Sequence, residues 1–209
     1  MRKIDCISDT HFEHEAVRLH GGDILIVAGD FLGHGTLEEA RVFNEWLGNQ
    51  LYTHKVVVAG NHDWAANHPV QLREALNNAL YLDHEMREVM GLTIFGSPWT
   101  PEFGGWSKMY PRGGPKGPAL WSMIPSDTDL LVTHGPAAGL SIGRNREGVD
   151  CGCTSLRSRM VELEKLKAHI CGHIHEGYGS AYVGDVPCYN VSLLDETYQL
   201  VNPVTRLEL

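Results

Sequence analysis

Val56-Val57-Val58-Ala59-Gly60-Asn61-His62-Asp63 passes from an unbroken apolar run straight into a polar cluster. A short, β-branched-rich run bounded by glycine reads as a buried strand, which leaves Asn61, His62 and Asp63 at its carboxyl end. The same transition recurs along the chain. Ile4 to Ser8 leads into Asp9-Thr10-His11, and Ile24 to Ala28 into Gly29-Asp30. Leu130 to Thr133 leads into His134-Gly135-Pro136, and Ala168 to Cys171 into Gly172-His173-Ile174-His175. Helix-like segments lie between these strands. From Leu37 to Leu47 the residues Leu37, Ala40, Val42, Phe43 and Leu47 supply an apolar face, with Thr36 as the cap. Further helices are expected over Val70 to Ala79 and Thr154 to Lys167. This alternation predicts an α/β architecture with substantial parallel pairing.

Glu88 to Met90 and Leu92 to Gly96, together with Ala181 to Val183, Cys188 to Ser192 and Tyr198 to Val201, read as antiparallel strands. A mixed sheet, or two sheets, is therefore expected. The stretch from Pro98 to Pro118 is rich in Gly, Pro and aromatic residues. It is long for a connection without structure of its own, and reads as a functional loop.

A chain of 209 residues is long enough to bury a full core and is read as one domain spanning 1–209. A net charge of −9, with no Lys/Arg cluster, argues against long nucleic acid and anionic membrane as partners. A small phosphorylated substrate held locally by metal remains compatible. The N-terminus is interrupted too early by Asp5 and Asp9 to act as a signal peptide, and no apolar run reaches the length of a membrane span. A cytoplasmic location is expected. The five cysteines are an odd number without a disulfide spacing and fit free thiols in a reducing compartment. Cys151-Gly152-Cys153 lacks a second pair, so loop or packing thiols are the better reading than a zinc or redox pair.

In open α/β sheets, ligands bind beyond the carboxyl ends of the strands, so the polar clusters are expected to converge on one crevice. Asp9, His11, Asp30, Asn61, His134, His173 and His175 offer oxygen and imidazole donors and no thiolate. Such a set suits manganese, iron or zinc. It is too large for one tetrahedral ion but fits two divalent ions bridged by a carboxylate, for which Asp30 is chosen. Alone, Asp-x-His, Gly-Asp or Gly-Asn-His-Asp also describes a turn or a helix cap. Their joint occurrence, each after an apolar run, decides for a site.

These motifs, in this order, resemble the calcineurin-like metallophosphoesterase superfamily over nearly the whole chain. More narrowly, Ile7-Ser8-Asp9-Thr10-His11, Phe43-Asn44-Glu45-Trp46-Leu47-Gly48, Gly96-Ser97-Pro98-Trp99-Thr100-Pro101, Thr133-His134-Gly135-Pro136 and His175-Glu176-Gly177-Tyr178-Gly179 look like its MPPED branch. The resemblance implies a two-sheet β-sandwich flanked by helices, an α/β/β/α arrangement. It also implies that Asp9, His11, Asp30 and His175 hold one ion and that Asp30, Asn61, His134 and His173 hold the other. His62 is then the catalytic histidine beside the leaving group. Some members of the branch carry Gly where this chain has His173, and that His favours a competent enzyme over a nucleotide-binding relic. The implied activity is a metal-dependent phosphodiesterase acting on small nucleotide phosphodiesters, cyclic nucleotides among them. Alternatives are a phosphomonoesterase or protein phosphatase, or a non-catalytic nucleotide-binding regulator.

Asp63 either orients the His62 ring or is a turn residue. Trp99, Trp106 and Tyr178 are candidates for stacking a nucleobase, against the alternative of packing the long loop onto the body. Arg112, like Arg144 and Arg146, is a candidate phosphate contact. His14, His20, His34, His54, His68, His84 and His169 belong to no motif and are read as surface or loop residues.

Overall fold

Strands that are apolar on both faces need cover on both faces, and the computed structural model, which describes residues 1–209, provides it with two stacked sheets and an outer layer of helices on each. The first part of the chain forms β1 (Lys3–Ile7), β2 (Gly22–Ala28), α1 (Leu37–Gly48), β3 (Tyr52–Val58), α2 (Pro69–Ala75), β4 (Leu80–Leu82), β5 (Glu85–Val89) and β6 (Leu92–Ser97). Then come β7 (Thr100–Pro101), β8 (Met109–Tyr110), α3 (Lys116–Trp121), β9 (Leu130–Thr133) and α4 (Thr154–Val161). The chain ends with β10 (Ala168–Cys171), β11 (Gly179–Val183), β12 (Val186–Asn190) and β13 (Thr205–Glu208). One sheet has the order β13-β1-β2-β3-β4 and the other β11-β12-β10-β9-β6-β5.

Alternation within each strand divides the apolar side chains between layers. Ile24, Ile26, Val56 and Val58 point between the sheets, where they meet Ile94, Leu130, Val132 and Ile170. Leu25, Val27 and Val57 face the other way, against Phe43 and Leu47 of α1 and Leu72 of α2. Leu131 and Cys171 cover the outer face of the second sheet together with Trp121, Leu156 and Met160. These cores explain why the strands read as continuous apolar runs, and they give the expected α/β/β/α layering.

β1, β2, β3 and β4 pair in parallel, as do β6, β9, β10 and β12. Antiparallel strands sit at the margins, β13 on β1, β5 on β6 and β11 on β12. The carboxyl ends of β1, β2, β3, β9 and β10 therefore open toward one edge of the sandwich. There the sheets are joined directly: the Ser8 N–H donates to Val191 O, and the Leu193 N–H to Ser8 O.

Several local expectations change. The helix expected to Lys167 stops at Val161, because the following turns tighten to bonds from Leu163 N–H to Met160 O and from Leu166 N–H to Leu163 O; both leucines stay buried. α2 ends at Ala75, where Leu76 leaves helical geometry with φ −98° and ψ 48°. Tyr198 to Val201 forms no strand; it closes a loop through a bridge between Leu194 and Leu200. The Pro98 to Pro118 stretch has structure of its own in β7, β8 and the start of α3. Among the histidines assigned to the surface, His14 and His169 are fully buried. His14 sits against Phe12, Phe43 and Trp46, and His169 Nε2 lies 2.8 Å from Thr133 Oγ1. No helix is long and apolar enough to cross a membrane.

Candidate metal centre

The backbone at the strand ends is bent to aim donors inward. Asp9, His11, Asp30 and His173 all adopt positive φ, of 52°, 41°, 50° and 72°. That region is sparsely populated by residues with a side chain, and such strain collects at functional sites. Glycine supplies the remaining room. A Cβ at Gly60 would overlap the Asp30 carboxylate, and one at Gly172 would overlap Ser8 and Asp9.

Each buried carboxylate has one oxygen held by N–H or hydroxyl donors and the other turned toward imidazoles. Asp9 Oδ2 accepts from Ser8 Oγ, from Ser192 Oγ at 2.8 Å and from the His173 N–H at 2.9 Å. Its Oδ1 has no hydrogen-bond partner and lies 3.5 Å from His175 Nε2. Asp30 Oδ1 accepts from the His62 N–H at 2.8 Å, while Oδ2 lies 3.2 Å from His134 Nε2 and 3.9 Å from His11 Nε2. The imidazoles are held from behind: His134 Nδ1 lies 3.0 Å from Ala28 O, and His175 Nδ1 2.9 Å from Asp195 O. An Nδ1–H donated to a carbonyl leaves Nε2 as the inward lone pair.

The donors fall into three groups that could hold a cation, each with its ligand atoms within 4.8 Å of one another: Asp9, His11 and His175; His11, Asp30 and His62; and Asp30, His134 and His173. His11 Nε2 and His175 Nε2 face each other at 3.3 Å, and His134 Nε2 faces Asn61 Oδ1 at 2.9 Å. Acceptors brought this close need a positive charge between them. Protons partly meet that need. Against the lowering effect of burial, Asp30 and Asp9 raise His134 to about 9, and Asp9 raises His175 to about 9. His173 goes the other way, lowered by burial to about 3. Burial opposes ionisation of Asp9, but His175, His134 and His11 outweigh it and hold the carboxyl below its usual range; Asp30 is likewise lowered, chiefly by His134. A neutral imidazole, two ionised carboxylates and an orphaned carboxylate oxygen are the chemistry that holds a divalent ion, and the residues present fit one.

All seven expected donors converge, as does His62, whose ring sits 4.7 Å from that of His11. Other expected roles do not match the geometry. Asp63 makes no hydrogen bond to the His62 ring. Its carboxylate is buried and accepts from the Asp30, Leu32 and Gly60 N–H groups at 2.8–2.9 Å. Burial and the nearby Asp30 charge push it up to about 7 against those donors. Trp99 packs on the outer core beneath Lys116, with Nζ 4.2 Å from the ring centre, and Tyr178 donates its hydroxyl to Pro203 O; neither lines the cleft. Arg112 does line it, but donates to Glu102 O, Gly152 O and Cys151 O, pinning two loops together. Trp106 stacks on His62 itself. Cys151 lines the cleft, whereas Cys153 is buried and caps α4 through the Leu156 N–H.

The cleft has a volume of about 380 Å³. Its rim includes Tyr198, which sequence reasoning missed and whose ring lies 4.8 Å from His11 and 5.2 Å from His175. Tyr198 follows no motif, and only the Asp195 loop, which bends it to φ 60°, brings it there.

The profile described as calcineurin-like phosphoesterase matches residues 2–177. Human metallophosphoesterase domain-containing protein 1 is 34% identical over 231 aligned positions, which cover 98% of this chain and 70% of the human protein. Two solved structures share the fold. One superposes with a TM-score of 0.69 at 17% identity, covering 100% of this chain and 99% of its own. The TT1561 protein of Thermus thermophilus gives 0.59 at 11% identity, covering 98% and 97%.

Proposed function

The chain belongs to the calcineurin-like phosphoesterase family, in its MPPED branch, and we propose that it is a phosphodiesterase using two divalent ions to hydrolyse small nucleotide phosphodiesters, cyclic ones among them. Manganese is the favoured metal, with iron or zinc as alternatives. The observation that carries this reading is Asp30, whose Oδ2 faces His11 on one side and His134 on the other. Asp9, His11 and His175 would complete one site, and Asn61, His134 and His173 the other. Divalent ions held there supply an activated water near neutral pH and neutralise charge on the phosphoryl oxygens.

The chain's own groups do the rest. His62 lies beside His11 and Asp30 and outside the set of seven, where it gives a proton to the leaving oxygen. Asp9 and Asp30 stay ionised in this surrounding and fix the charge that the substrate meets. The cleft is small, its rim carries the exposed Glu176 and Glu196, and the chain has a net charge of −9, all of which favour a small substrate over a polymer.

Bis- and mono-p-nitrophenyl phosphate compared with manganese-loaded protein test the ester class, followed by 2′,3′- and 3′,5′-cyclic nucleotides and mononucleotides. Faster turnover of the diester is expected. A preference for the monoester would replace this reading with a phosphomonoesterase, and tight nucleotide binding without turnover across several metals would replace it with a binding protein.

A further inference from the structure

The geometry points to Trp106 as the residue that positions the His62 ring. This rests on His62 acting in the proposed reaction. A histidine that moves a proton needs its ring held in one orientation, a task usually given to a carboxylate or carbonyl on the second ring nitrogen. His62 has no such partner. Asp63, its neighbour in sequence, is committed to three backbone N–H groups, and the hydrogen bonds His62 makes are those of its backbone, whose N–H donates to Asp30 Oδ1 and whose carbonyl accepts from the Trp64 N–H.

What the ring does have is an aromatic face. The Trp106 indole stacks on it with centroids 4.2 Å apart and planes 25° from parallel, while His11 meets it edge-on at 4.7 Å. Two contacts at right angles leave the imidazole little freedom to flip or tilt. The indole is itself held in place. The next residue, Ser107, is buried, its N–H donates to Asn61 O, and its hydroxyl donates to Asn67 Oδ1. The segment carrying Trp106 is thus bonded directly to the segment carrying His62. Gly104 packs against the indole edge, where a Cβ would come within 3.3 Å of Trp106 Cδ1. Trp64 lies farther off at 6.4 Å, and Trp106 keeps 39% of its surface exposed, so its replacement opens no core cavity. Stacking on an imidazole is also incompatible with the same indole face serving as a nucleobase platform.

The test is a double-mutant cycle of Trp106→Ala and His62→Ala on the metal-loaded protein, with Trp106→Phe as the conservative variant. Melting temperature and metal content serve as controls. Trp106→Ala is expected to lower kcat about tenfold or more with KM nearly unchanged, Trp106→Phe to recover most of it, and the double variant to be no slower than His62→Ala alone. The ring is read independently of turnover by NMR of the metal-free protein. The His62 carbon-bound protons should show an upfield ring-current shift that Trp106→Ala abolishes and Trp106→Phe partly keeps. Additive losses in the cycle, an unshifted His62 ring, or a raised KM at unchanged kcat would each overturn the positioning role; the last would mark a substrate platform. A His62→Ala enzyme with full turnover would instead remove the assigned role of His62, and this inference with it.

Discussion

At the scale of single residues, the donors were legible and their supports were not. Asp9, His11, Asp30, Asn61, His134, His173 and His175 stand at abrupt changes from apolar to polar sequence, and that signal survives without a fold. Asp63 shows the limit. Its adjacency to His62 suggests an orienting carboxylate, yet its partners come from residues 30 and 32, distant in sequence. The role that follows is structural: Asp63 ties the loop after β2 to the loop after β3. Asp63→Asn turns one acceptor into a donor facing buried N–H groups, and is expected to cost about 3 kcal/mol in urea unfolding. An unchanged unfolding midpoint would dismiss the clamp. His14 offers a second test. It is buried with neither ring nitrogen bonded, and burial lowers its pKa below 6.5, opposed by Glu15. The folded state therefore keeps it neutral, while the unfolded chain takes up a proton below pH about 6.5. Its contribution to stability is complete above that pH and is lost as pH falls toward the folded value. His14→Leu should flatten the fall in stability just below pH 6.5, by up to about 1.4 kcal/mol per pH unit; equal slopes in both proteins would refute it.

At the scale of elements, legibility followed burial. β2, β3, β9 and β10 are covered on both faces and announce themselves as apolar runs. β13 is an edge strand whose identity depends on pairing with β1, and it has no comparable pattern. The end of α4 departs from its apolar pattern for a related reason, since Leu163 and Leu166 remain apolar and buried while the backbone has already left the helix. Caps are local and were easier to read. Thr36 accepts from the Glu39 N–H at 3.2 Å, and the Glu39 side chain returns to the Thr36 N–H at 3.1 Å, forming the full capping box of α1. Thr36→Ala should lower stability by about 1 kcal/mol, measured by chemical denaturation, without affecting turnover, because α1 packs on the face of the sheet rather than its carboxyl edge.

At the scale of the molecule, the donor set is split between the two sheets. Asp9, Asp30 and Asn61 follow β1, β2 and β3 of one, whereas His134, His173 and His175 follow β9 and β10 of the other. No sequence pattern shows which strands share a sheet, so this division emerges only from the pairing. It has a thermodynamic consequence. An ion held by Asp30 together with His134 and His173 joins the sheets across the edge where they otherwise meet through a few bonds around Ser8 and between His134 and Ala28. Unfolding separates these ligands, so a cation that binds only the folded chain stabilises it by mass action. At one hundred times its dissociation constant the gain is about 2.7 kcal/mol, or roughly 5–10 °C in melting temperature for a chain of this size. Calorimetric melts with manganese and after chelation should differ by that amount for each ion held. Asp30→Ala, which removes the carboxylate shared by both groups, should erase the difference. A manganese-dependent rise that survives in Asp30→Ala would place the stabilising ion elsewhere on the chain.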